Sequence, residues 1–246
     1  MDLNGRTALV TGANRGIGRQ LVDALLAAGA GEVIAGARDP KTLEGMDARV
    51  RPLKLDVTDP AAVTAASAAV EKLDVLINNA GVLRNASYLG VDELTAAREE
   101  MDVNYWGTVY MCRAFAPQLR VAGRAGGAAI LNVMSTLARV TYPFCGSYCA
   151  SKHAVYALTH SLRAELSADN VHVIEAYPGL TDTDMVAELE HLPKSNPADV
   201  AAAFVAAIIS GSDEVYVGDD AEAVRTALSE ELKALQREAY AFAPPE

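Results

Sequence analysis

The 246-residue chain carries 21 Lys and Arg against 32 Asp and Glu, a formal charge of −11, and 51% of its residues are hydrophobic. This acidic balance argues against nucleic acid or an anionic membrane as partner, and the length lets one core bury roughly 70–75% of the unfolded surface, so a single domain over 1–246 is expected. The longest wholly apolar run, Val200 to Ile209, reaches about half a membrane span and reads as a buried helix.

In chain order, the apolar run TALV leads straight into Thr11-Gly12-Ala13-Asn14-Arg15-Gly16-Ile17-Gly18 and then the amphipathic segment RQLVDALLAAG. Strand, glycine turn and helix in that order make a phosphate cradle, because glycines admit the ligand to the backbone and the helix N-terminus presents free N–H groups. The spacing G-x-x-x-G-x-G differs from the commoner G-x-G-x-x-G. Further strands are expected near 32–37, 51–55, 74–78, 128–134, 171–177 and 214–217, with helices between them. Strands rich in Val, Ile and Leu that alternate with helices predict a seven-stranded parallel sheet, Rossmann-like and doubly wound, in an α/β fold. The alanine-rich stretch 61–70 is expected to be helical, and a helix from Val103 to Leu119 is expected to be apolar around nearly its whole circumference, through Trp106, Tyr110, Met111 and Phe115.

Tyr148 and Lys152 stand four apart in SYCASKHAVYAL, which reads as a helix, and Ser135 ends the apolar run AAILNVMS thirteen positions before Tyr148. Residues four apart share a helix face. A lysine cation beside a phenol favours the phenolate, so Lys152 is expected to lower the Tyr148 pKa and fit the pair for proton transfer.

These motifs together resemble the short-chain dehydrogenase/reductase family over about the first 220 residues: TGANRGIG (11–18), Asp56 in LDVTD, the run Asn78-Asn79-Ala80-Gly81, Asn104, Ser135, Tyr148 with Lys152, and Pro178-Gly179 followed by TDTDM. The resemblance implies a cofactor half over about 1–125 and a catalytic and substrate half over about 126–246. It implies that Gly12, Asn14, Gly16, Ile17 and Gly18 hold phosphate, that Asp56 and Val57 meet the adenine, and that Asn79, Ala80 and Gly81 close over the adenosine. Ser135 would bond the substrate carbonyl oxygen while Tyr148 protonates it. Lys152 would also bind the nicotinamide ribose, Asn104 would hold a water linking Lys152 to solvent, and Pro178, Gly179, Thr181 and Thr183 would receive the carboxamide. A homodimer, or a tetramer built from it, is implied through the helices around Trp106 and after Ser147.

Charge points to the cofactor. In dinucleotide folds an acidic residue about 20 positions past the glycines holds the ribose hydroxyls, whereas arginine accommodates a 2′-phosphate. Arg38 occupies that place, Ala37 offers no carboxylate, and Arg15 lies in the glycine turn. NADP(H) is therefore expected, in preference to NAD(H).

The substrate pocket is expected to be walled by Leu137, Tyr142, Phe144, Leu180 and Met185, with Arg84 and Arg139 at its rim and a short lid, VAELEHLPKSN. Such walls suit apolar or aryl ketones and aldehydes. The expected activity is that of an NADP(H)-dependent carbonyl reductase or secondary alcohol dehydrogenase. Alternatives are a β-ketoacyl reductase, a halohydrin-type lyase, which in this family uses arginine where Lys152 stands, and a non-catalytic NADP(H)-sensing protein. Cys112, Cys145 and Cys149 lack metal-ligand partners at useful spacing, so no metal site is expected. Neither His153 nor His160 has a carboxylate at ligand spacing. Asp182 and Asp184 read as turn or capping residues. The sequon Asn85-Ala86-Ser87 bears on function only after secretion, and with no charged start and apolar signal segment before the first strand a cytoplasmic location is expected. A charged helix, AEAVRTALSEELKALQREAYAF, is expected after the last strand.

Overall fold

The computed structural model describes residues 1–84, 88–89 and 93–227. The sequon at Asn85 and the expected C-terminal helix beyond Ala227 lie outside the described residues. Seven strands, β1 (Thr7–Thr11), β2 (Glu32–Ala37), β3 (Val50–Lys54), β4 (Val75–Asn78), β5 (Ala128–Val133), β6 (Val171–Pro178) and β7 (Glu214–Val217), form one sheet. Every pairing is parallel, in the order β3-β2-β1-β4-β5-β6-β7. The expected strands hold to within a residue or so at their ends. No helix among the described residues is long and apolar enough to cross a membrane.

The apolar runs on β1, β4 and β5 are buried on both faces because helices cover both. Helices α1 (Gly16–Ala27) and α6 (Pro197–Ser210) pack on one side through Leu21, Leu25, Phe204 and Ile208. On the other lie α2 (Pro60–Ala68) and α4 (Gly107–Arg124), through Val63, Met111, Phe115 and Leu119. Local chemistry sets the helix ends. Asp59 and Asn196 each accept a backbone N–H two residues on, ahead of Pro60 and Pro197 at the first helical position, and Gly211 closes α6 at φ +74°.

The helix expected from Val103 to Leu119 is two pieces, the π-helical stretch Met101–Trp106 and α4, and α3 (Thr95–Glu100) leads into the first of them. Its apolar residues lie on both the covered and the uncovered side, as expected. Met111 and Phe115 are fully buried in the core, whereas Trp106 is 43% exposed and stacks on Tyr110. Between β1 and β4 the chain reverses the direction in which it adds strands, so a crevice opens where Thr11 and Asn78 end their strands. The long helix α5 (Gly146–Glu165) crosses the far side of that crevice.

Candidate active site

The crevice is a cleft of about 1580 Å³ whose wall includes every expected catalytic, cofactor-binding and pocket-wall residue except Asn104. On its β1 side the glycine turn has Gly12 at φ +64° and Gly16 at φ +52°, backbone that L side chains rarely adopt. A Cβ on Gly18 would stand 2.1 Å from the Gly12 carbonyl oxygen, and one on Gly16 would stand 3.2 Å from Thr183 Cγ2. Glycine here therefore lets α1 and the segment after β6 close on the same turn. Thr11 and Asn79 lock the strand ends together: Thr11 Oγ1 accepts from Asn79 N and Ala80 N, both at 3.0 Å, and Asn79 Nδ2 donates to Thr11 O at 2.9 Å.

At the end of β2, Arg38 is exposed and lines the cleft, while the Asp39 carboxylate accepts from Lys41 N at 3.1 Å and caps a 3₁₀ turn. The carboxylate next to Arg38 is thus engaged locally. Asp56 accepts from Thr58 N and Oγ1, and these bonds, with Arg38 nearby, hold its carboxyl below the usual range despite some burial. Arg15 pairs with Asp184 at 3.3 Å, both largely exposed, a contact worth about 0–1 kcal/mol. Asp182 pairs with Lys194 at 3.6 Å. Asp184 also opens the short 3₁₀ turn Asp184–Val186, whose N-cap is Thr183, so the turn role expected of it holds and the capping role does not.

Ser135, just past β5, and Tyr148 and Lys152, on the first two turns of α5, share the opposite wall. Burial pushes the Tyr148 phenol well above its ordinary pKa; a Ser135 hydrogen bond opposes this, whereas Cys145, Cys149 and Glu100 add to it. Lys152 is pulled down to about 8 by burial. Its Nζ donates to Val133 O at 3.0 Å and lies 5.6 Å from the Tyr148 ring centroid. The expected lowering of the phenol by Lys152 is absent here: desolvation dominates, and the ammonium is turned to a carbonyl.

Asn104 sits in the π-helical stretch behind the wall, 1% exposed. Its Oδ1 accepts from Val82 N at 2.8 Å, and its Nδ2 donates to Val82 O and Ser151 Oγ at 3.0 and 2.9 Å. The side chain ties the post-β4 segment to α5.

Leu137, Tyr142, Phe144, Leu180 and Met185 all line the cleft, joined by the lid residues Leu189 and Leu192. The lid is tied at its base, with Ser195 N donating to Leu180 O at 2.8 Å and Asp182 N to Ser195 O at 3.0 Å. Two rim assignments fail. Arg139 lies 4.2 Å over the Tyr156 ring, and Arg84 is held by Glu99; neither lines the cleft. Conversely, Gly218, Asp219, Asp220 and Val224, around the start of α7 (Asp219–Ala227), do line it, and Asp220 accepts from Leu180 N at 3.0 Å. Only pairing of β7 with β6 brings that segment to the site, and sequence spacing carries no trace of it.

His160 meets a carboxylate from another element, Glu175 of β6, at 3.2 Å. Arg163 and Tyr177 bond the same buried Glu175, and none of the four lines the cleft. Among the described residues no cluster of three metal-ligating side chains occurs.

The family model for short chain dehydrogenase matches residues 6–193. The chain is 37% identical over 239 residues to 1-deoxy-11-beta-hydroxypentalenate dehydrogenase of Streptomyces exfoliatus, covering 91% of this chain and 86% of that protein. It is 34% identical to galactitol 2-dehydrogenase of Agrobacterium fabrum, over 74% of this chain and 73% of the relative. A solved short-chain dehydrogenase of Burkholderia cenocepacia, in complex with NADP, superposes with TM-score 0.88 at 40% identity, covering 97% and 98% of the two chains. With its sheet order, its glycine turn and the family match over most of its length, the chain belongs to the short-chain dehydrogenase family of oxidoreductases.

Proposed function

We propose that the protein transfers a hydride between NADP(H) and a ketone or aldehyde, or the matching secondary alcohol, with Tyr148 as general acid and base. The observation that carries this reading is the convergence of Ser135, Tyr148 and Lys152 on the cleft that the glycine turn also lines. The residues fit the dinucleotide. No side chain caps the N-terminus of α1, so its first N–H groups remain for a phosphate. Exposed Arg38 and Arg15 suit a 2′-phosphate, and no free carboxylate ends β2. The Burkholderia cenocepacia relative that binds NADP supports the same cofactor.

Bound NADPH supplies the hydride. Ser135 Oγ–H polarises the substrate carbonyl, and Tyr148 delivers its proton to the same oxygen as negative charge grows there. Lys152, with one carbonyl partner, retains donors for the cofactor ribose hydroxyls and places positive charge behind the reaction. Residues 1–125 act as the cofactor half and 126–246 as the catalytic and substrate half of one domain. The apolar wall and lid favour bulky apolar or aryl carbonyl compounds over polyols.

A panel of ketones, aldehydes and polyols, followed by NADPH or NADH consumption and the reverse reaction, tests the reading. Aryl ketones should give the highest kcat/KM, and NADPH should be preferred over NADH. Replacing Arg15 and Arg38 together by neutral residues should weaken NADPH binding, at about 1.5–3 kcal/mol per charged hydrogen bond lost, while sparing NADH. A wild-type preference for NADH would defeat the arginine argument, and activity confined to small polyols would defeat the apolar pocket.

A further inference from the structure

Glu100, the last residue of α3, is completely buried, and both its carboxylate oxygens accept hydrogen bonds, from Arg84 N at 2.7 Å and from Ser147 Oγ. Four residues on, Asn104 makes the same kind of link, from Val82 to Ser151. The two residues thus form a two-rung ladder. Each rung runs from the segment after β4, through the α3 to π-helical stretch, to the first turns of α5, where Ser147 and Ser151 are also four apart. Ser151 Oγ in turn donates to Tyr148 O at 2.8 Å. Neither rung was expected from the sequence, and the Glu100 rung holds the residue next to Tyr148.

We propose that Glu100 is a positioning residue for Tyr148: through Ser147 it fixes the first turn of α5 against the 82–84 segment, and its buried charge helps set the pH range in which the phenol works. The proposal rests on the reading of Tyr148 as general acid and base. A carboxylate is costly to desolvate in a core, and here each of its oxygens accepts from a donor. The groups that face the phenol are Lys152 and Cys149 from α5, Cys145 from the turn before it, Ser135 from the end of β5, and Glu100; those facing Glu100 are Ser147, Cys145 and Arg84, whose guanidinium is paired with Glu99. Of these, Glu100 is the nearby carboxylate that opposes phenolate formation.

The test compares wild type with Glu100→Gln, Ser147→Ala and Tyr148→Phe, using the best carbonyl substrate of the panel and its product alcohol, with folding checked by circular dichroism. In alcohol oxidation, Glu100→Gln should move the rise of kcat with pH to lower pH by about half a unit or more, because a negative charge near the phenol is gone, with KM for NADP unchanged. Ser147→Ala, which keeps the charge, should lower kcat about threefold to tenfold by loosening the turn without shifting the profile. A folded Glu100→Gln whose profile superposes on wild type overturns the proposal. Should that variant fail to fold or show no turnover, Ser147→Ala decides, and wild-type kcat there overturns it. Wild-type turnover in Tyr148→Phe defeats the functional reading itself, whereas an inactive Tyr148→Phe beside an unshifted Glu100→Gln defeats only the role of Glu100.

Discussion

Tyr148 and Lys152 are both titratable and both buried, and each is pushed toward its neutral form. Removing the phenol oxygen leaves the ring packing intact, so Tyr148→Phe should fold and bind NADPH while turnover drops about 100-fold or more, the scale of a lost general acid; steady-state kinetics beside a binding titration separates the two. For Lys152 the sign of the pH effect follows from a folded pKa of about 8 against an ordinary value of 10.5. Below pH 8 the folded state bears the cost of a buried ammonium. Between about 8 and 10.5 it has released the proton while the unfolded chain still holds it, so this group's contribution to stability rises with pH, by about 3 kcal/mol at most. Burial pushes the thiols of Cys112 and Cys145 up, each to about 12, which gives the opposite slope. Urea unfolding of wild type minus that of Lys152→Met, from pH 7.5 to 9.5, isolates the lysine. A difference that does not change with pH would contradict this.

At the scale of elements, the strand–turn–helix of residues 7–27 was legible because its cause is local: glycine is needed where φ is positive, and an amphipathic period follows directly. Gly18 is required for a different reason, visible only when the helix is packed on its own turn. A Cβ there would stand 2.1 Å from Gly12 O and 2.5 Å from Asn79 Nδ2. Gly18→Ala should therefore destabilise the protein by about 1–3 kcal/mol and weaken NADPH binding, read by thermal melts with and without cofactor. An unchanged melting temperature would show that the turn relaxes freely. The break of the expected 103–119 helix into π-helical and α-helical pieces was not legible, because the apolar spacing continues through it. The extra π turn places Asn104 inward, toward Val82 and Ser151, and such bulges occur often at functional sites.

For the whole molecule, Trp106 at 43% exposure and Val121 at 71% leave apolar surface along the outer side of the π-helical stretch and α4. Small exposed residues, Ala150 and Ala157, stand on α5. We propose that this face pairs with a second copy about a two-fold axis. Light scattering at micromolar protein should give a dimer or tetramer mass, and Trp106→Glu should shift it toward monomer; a monomeric wild type refutes the interface. The sequence by itself determined the parallel α/β sheet, the glycine turn, the Tyr148 and Lys152 pair and the two arginines that line the cleft, because each depends on neighbours within a turn or two, or on a motif with one fixed order. Only the tertiary structure decided that Glu100 reaches Ser147, that Glu175 meets His160, that Asp220 clasps the segment after β6, and that Arg139 turns away from the cleft. Those contacts join residues from separate elements, and their partners are chosen by strand order and helix packing, which no local spacing records.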